Sequence, residues 1–155
     1  MNIENRENLS DYQKWVSSNE EKKFSLFDYI HGVFSLNDLS SDLAIALMNL
    51  FFPRFLLHDD LIFLQEEFSK KRYDSLISSG ISGHELEYWM NILNIDTLIN
   101  CSSVAEGVKF AESLVPLWEQ KLKADFPSTS IKVSCLLDGS GSDTNVYITF
   151  QQTVS

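Results

Sequence analysis

Ile131 to Gln151 reads IKVSCLLDGSGSDTNVYITFQ. Apolar and β-branched residues fill both arms, Ile131–Leu137 and Asn145–Gln151, and Asp138-Gly139-Ser140-Gly141-Ser142-Asp143 separates them with turn chemistry. Val146, Ile148 and Phe150 alternate with Tyr147, Thr149 and Gln151, the period of a strand with one polar face. Two antiparallel strands are therefore predicted here. A second hairpin is predicted upstream, where Phe55-Leu56-Leu57 and Leu61-Ile62-Phe63-Leu64 flank the polar His58-Asp59-Asp60.

Helical patterns occupy the rest. Leu9, Tyr12 and Val16 mark one short face; Phe24, Phe27, Ile30, His31 and Phe34 mark another, with Ser25 and Asp28 as a capping pair. Asp42–Phe52 is apolar on every side and ends at Pro53, which predicts a helix buried all round. Ser69–Ser79 reads as a helix closed by Gly80. Ser82-Gly83-His84-Glu85 and Ser103-Val104-Ala105-Glu106 read as capping boxes. The first opens a helix whose inner face is Leu86, Trp89, Met90 and Leu93. The second opens one that buries Val104, Val108, Ala111, Leu114 or Val115, Trp118 and Leu122, with a kink or restart expected at Pro116. Ile95–Ile99 is apolar but too short to assign. Helices, hairpin, helices, hairpin is an α+β order: an antiparallel sheet of about four strands, in two hairpins, packed against helices on one side. At 155 residues the chain is expected to be a single domain, 1–155, with residues 1–8 frayed.

The chain carries 22 acidic against 12 basic residues, a net charge of −10 spread evenly along it. Such a surface repels phosphate backbones and anionic lipid, so neither nucleic acid nor a membrane is expected as a partner; a basic protein is. Cys101 and Cys135 are too few and too far apart for a disulfide framework or a CxxC site. The polar first residues lack the apolar core of a secretion signal, and a cytoplasmic location is expected.

Candidate chemistry is sparse. His58-Asp59-Asp60 sets an imidazole beside two carboxylates, the one arrangement that could serve a small hydrolase or ligand-binding site, although neighbours in a turn tend to splay. His84 and Glu87 share a helical face, but Tyr88 stands where a zinc-binding helix needs its second histidine. His31, on an apolar face, reads as a core histidine. Ser79-Gly80-Ile81-Ser82-Gly83 lacks the spacing of a nucleophile elbow, and Gly139-Ser140-Gly141 lacks the lysine of a phosphate loop. No basic residue adjoins either cysteine to activate it. No catalytic residue, metal or cofactor is expected. Between Arg72 and Lys109 every charged residue is acidic, and Tyr88 is expected to point off the inner face of its helix. Glu85, Glu87, Tyr88 and Asp96 are the predicted partner-binding residues, aromatic anchor and charge together.

Three stretches carry a resemblance: Phe51-Phe52-Pro53-Arg54-Phe55, Tyr88-Trp89-Met90-Asn91-Ile92-Leu93-Asn94-Ile95-Asp96, and Leu117 to Pro127, LWEQKLKADFP. Together they resemble a group of small bacterial cytosolic α+β proteins, over residues 40–152. The resemblance implies that compartment and one α+β domain, and supplies no activity. Compact acidic proteins of this kind include immunity partners of secreted toxins. The expected function is therefore a non-catalytic protein-binding domain, an immunity protein that covers a basic toxin with an acidic face.

Overall fold

The computed structural model describes residues 9–22 and 24–153; the expected fraying of residues 1–8 falls outside them. Two compact units make up the chain, Met1–Leu47 and Met48–Ser155.

In the first unit, α1 (Ser10–Ser17) pairs with α2 (Leu26–Leu36) through aromatic rings. Trp15 meets Phe24 and Tyr29 at centroid distances of 4.6 and 5.6 Å, and Tyr12, which is buried, meets Tyr29 edge-on at 5.5 Å. The capping pair forms: the Asp28 N–H donates to Ser25 Oγ at 3.1 Å and the Ser25 N–H to Asp28 Oδ2 at 2.7 Å. α2 ends with Asp38 left-handed at φ +50° and the Leu39 N–H donating back to the Phe34 carbonyl, a Schellman-type end.

α3 (Ser41–Phe51) runs across the boundary between the units. It corrects an expectation, because none of its residues is fully buried. Leu43, Ile45 and Met48 are exposed, and only Leu50 and Phe51 pack on the core of the second unit. Periodicity shows which side chains want cover; it does not show that the chain supplies the cover. His31 likewise lies exposed on α2 rather than in a core.

The second unit holds both predicted hairpins. β1 (Phe55–His58) pairs with β2 (Leu61–Leu64), Phe55 opposite Leu64 and His58 opposite Leu61. The two-residue turn places Asp59 at φ +51° and Asp60 at φ +62°, the doubly left-handed turn that matches strand twist. Asp60 carries a Cβ where glycine is favoured. Asp60→Gly should therefore raise stability by about 0.5–1 kcal/mol, read from the urea midpoint; an unchanged or lower midpoint would contradict this account of the turn. β4 (Ile131–Asp138) pairs with β5 (Asn145–Gln152) along their whole lengths. Gly139 is required at the loop, since its φ of +110° is left-handed and a Cβ there would run into the Asp143 carbonyl oxygen.

Among the described residues there are five strands in two sheets rather than one sheet of four. The fifth is β3 (Leu93–Asn94), on the other edge of β5. Leu93 is thus in a strand, not on a helix face. Ile95–Leu98 then forms the one-turn α6, capped by Asn94 Oδ1 accepting from the N–H groups of Asp96 and Thr97 at 2.9 and 3.2 Å. α4 (Lys70–Ser78) and α5 (Gly83–Met90) precede β3, and α7 (Val104–Asp125) follows α6.

α7 passes Pro116 without a restart and lays Ala111, Leu114, Trp118 and Leu122 against Val133, Val146, Ile148 and Phe150. Ser103 caps it as expected, but Glu106 reaches back to the N–H of Ser102 instead of Ser103. At α5 the predicted capping box is not made: Gly83 enters at φ +58° and the Ser82 hydroxyl bonds no helix N–H. β2 reads as an unbroken apolar run because both its faces are buried, Ile62 and Leu64 in the α7 core and Phe63 with Tyr73, Leu86 and Met90. The polar face expected for β5 is covered too. Thr149 is buried and donates its hydroxyl to the Tyr88 carbonyl of α5 at 2.9 Å.

Candidate functional site

α5 carries most of the residues to which the sequence assigns function. Its buried side chains are Leu86, Glu87 and Met90, and Asn91 follows them, also buried. The helix is therefore turned from its expected orientation: Trp89 faces out at 42% exposure, and a carboxylate faces in.

Glu87 corrects the predicted partner surface. Oε1 accepts from the Ile62 N–H at 2.7 Å and from Gln152 Nε2 at 2.7 Å; Oε2 accepts from the Gln152 N–H at 2.8 Å and lies 3.3 Å from His84 Nδ1. One turn on, Asn91 Oδ1 accepts from the Leu64 N–H at 2.8 Å, and its amide donates to the carbonyls of Ile62 and Phe150 at 2.9 and 3.3 Å. The edge of β2 away from β1 and the edge of β5 away from β4 are the groups being served. Two side chains four residues apart thus stand in for a missing strand, and each buried backbone group they meet is satisfied.

The other predicted partner residues divide. Glu85 is exposed. Tyr88 is half-buried, its ring edge-on to Trp89 at 5.2 Å. Asp96 is half-buried, with Oδ2 accepting from the Val146 N–H at 2.6 Å. Arg72 donates to the Trp89 carbonyl at 2.5 Å, which brings a cation beside this surface. Glu85 and Trp89 are the two side chains of this group that face outward.

His58, Asp59 and Asp60 do not converge as a trio. The His58 ring is held edge-on by Phe68 and Tyr73, at 5.3 and 4.9 Å, and its buried Nε2 has no hydrogen-bond partner; Asp59 Oδ2 is 3.7 Å away. Asp59 Oδ2 instead accepts from the Tyr73 hydroxyl at 2.8 Å. Asp60 is exposed, and its carbonyl accepts from Gln152 Nε2 at 2.9 Å. This is a staple tying the turn to α4 and β5. Burial, and then the Asp59 carboxylate, push the Tyr73 phenol up to about 12, so it keeps its proton at neutral pH. Because the folded-state value lies above the ordinary one of 10, Tyr73 contributes stability that is complete below pH 10 and lost as pH rises toward 12. In urea titrations, Tyr73→Phe should flatten that alkaline decline; an equally steep decline in the variant would contradict the assignment.

The remaining chemistry is scattered. Among the described residues no group of three or more His, Cys, Asp and Glu side chains is placed to hold a metal ion. Burial pushes both the Cys101 and Cys135 thiols up, away from nucleophilic thiolate. No helix of the described residues is long and apolar enough to cross a membrane. The Glu87–Asn91 pair was not predicted from the sequence. Its available signal was a polar row at helical spacing beside the apolar row of Leu86 and Met90.

No family model, curated protein or solved structure matches the chain. Fold and geometry carry the functional reading.

Proposed function

We propose that this chain is a non-catalytic protein-binding domain whose partner is a basic protein. Its specific form is that of an immunity protein, covering the active site of a basic bacterial toxin. The observation that carries the reading is apolar surface left uncovered on α2 and the first turns of α3, within the first unit. Leu36 is 82% and Ile45 56% exposed, in a stretch from Phe24 to Leu47 whose only formal charges are Asp28, Asp38 and Asp42. Large apolar side chains next to charge of one sign suit protein recognition, in which apolar anchors hold and charge steers. Glu85 and Trp89 on α5 are of the same character, and the net charge of −10 favours a cationic partner.

The test is capture by the full chain from lysate of its own cells, with crosslinking and stoichiometry by mass spectrometry. A stoichiometric basic protein released by rising salt is expected, and for the immunity form its toxicity should be suppressed by co-expression. Recovery of no stoichiometric partner would overturn the reading.

A further inference from the structure

The uncovered row on α2 has a spacing and a charge setting that limit what can lie on it. One face of α2 is used by α1: Tyr29 meets Tyr12 and Trp15, and a Cβ added at Gly32 would stand 3.6 Å from the Trp15 ring. The opposite face presents Phe27, Ile30 and Phe34, three and then four residues apart, which forms one line along a helix. Phe27 is 80% and Ile30 44% exposed, while Phe34 is half-buried. Leu39, 36% exposed, follows at the end of the helix, where its N–H bonds the Phe34 carbonyl; an end of this type frequently brings these two side chains together. An apolar line at three-four spacing is the pattern into which another helix packs its own ridge. An extended peptide, with a period of two, does not match it.

The setting of the row is negative. Asp28 adjoins Phe27, Asp38 adjoins Leu39, and Asp42 opens α3, with no lysine or arginine from Phe24 to Pro53. Hydrogen bonds from Ser25 hold the Asp28 carboxyl below its ordinary range, so it is ionised at neutral pH. The titratable neighbour on the same helix is His31, exposed beside Ile30.

We propose that the Phe27–Ile30–Phe34–Leu39 row is the docking seam for a cationic amphipathic helix of a partner protein. The partner's apolar ridge interleaves with the row, and its lysines or arginines face Asp28, Asp38 and Asp42. This rests on the protein-binding reading above and adds the surface and the partner's form. A second copy of the chain fits less well, since it would set like acids against each other with −10 on each molecule. An anionic lipid surface is repelled for the same reason.

The test titrates the full chain with three synthetic peptides of about 18 residues, or five helical turns. They are a Leu/Lys amphipathic helix, its Leu/Glu counterpart, and the Leu/Lys composition in scrambled order. The ordered Leu/Lys helix should bind at least about tenfold tighter than either control, weaken as salt rises, and lose about tenfold or more with the double variant Phe27→Ser, Ile30→Ser. Asp38→Asn with Asp42→Asn should reduce the salt dependence. Both variants alter exposed positions, and unchanged circular dichroism and melting will confirm their folds.

Equal binding of ordered and scrambled peptides, or binding indifferent to Phe27→Ser, Ile30→Ser, would overturn the seam. So would self-association abolished by that variant, or binding to phosphatidylserine vesicles. Should the natural partner be captured equally well by the variant, the seam fails and the binding function stands. Should no partner be captured by either form, the binding function itself fails.

Discussion

Glu87→Leu should lower the free energy of unfolding by about 3–5 kcal/mol, since each buried donor stranded without an acceptor costs about 1–3 kcal/mol. The stranded groups are the backbone N–H groups of Ile62 and Gln152, both bonded to this one carboxylate; the Gln152 amide also loses it but keeps the Asp60 carbonyl. Glu87 is fully buried, so water cannot replace it without opening the contact of α5 with both strands. Glu87→Gln keeps an acceptor oxygen but places an amide against the second donor, and should cost about 1–2 kcal/mol. Urea denaturation with the slope held in common measures both. A cost for Glu87→Leu below about 1 kcal/mol, the size of one ordinary hydrogen bond, would mean that the clip between the strands is incidental. The same residue could not serve in a partner surface without first leaving the core.

The second large effect is expected at Trp118. Trp118→Ala should cost about 3–5 kcal/mol, the range for emptying a fully buried aromatic site. The indole is fully buried, meets Phe55 and Phe150 edge-on at 6.5 and 6.2 Å, and donates Nε1–H to the Leu50 carbonyl at 2.9 Å. Trp118→Phe separates the two contributions: it keeps most of the ring and removes the donor, for about 1–2 kcal/mol. In hydrogen exchange, Trp118→Phe should raise opening at the C-terminal turn of α3 more than in β4. Uniform acceleration across the second unit would show that the bond to Leu50 is not what holds that turn.

These two residues illustrate unequal legibility. Trp118 is readable from sequence, because Ala111, Leu114, Trp118 and Leu122 recur with the period of a helix that has one wet face. Glu87 misleads, because an acidic residue on a helix reads as solvent-facing unless the backbone groups that need it are known. Those groups lie 25 and 65 residues away, on Ile62 and Gln152, and pairing at that separation leaves no local pattern. The same blindness applies to α3. Its apolar composition announces a demand for cover, and whether that demand is met depends on the rest of the fold.

What the sequence determined by itself is the local structure: both hairpins, the Ser25–Asp28 cap, the face of α7 and the α+β order all follow from propensity and period over a few residues. It also determined the charge, which needs no fold. Tertiary structure decided how α5 is turned, that the strands divide into two sheets with β3 added, and that His58 and Asp59 pair with Tyr73 rather than with Asp60. It also left the outer row of α2 uncovered. The physical reason is range: propensity and capping are settled within a turn or two of chain, whereas burial and the pairing of polar groups depend on what distant segments bring.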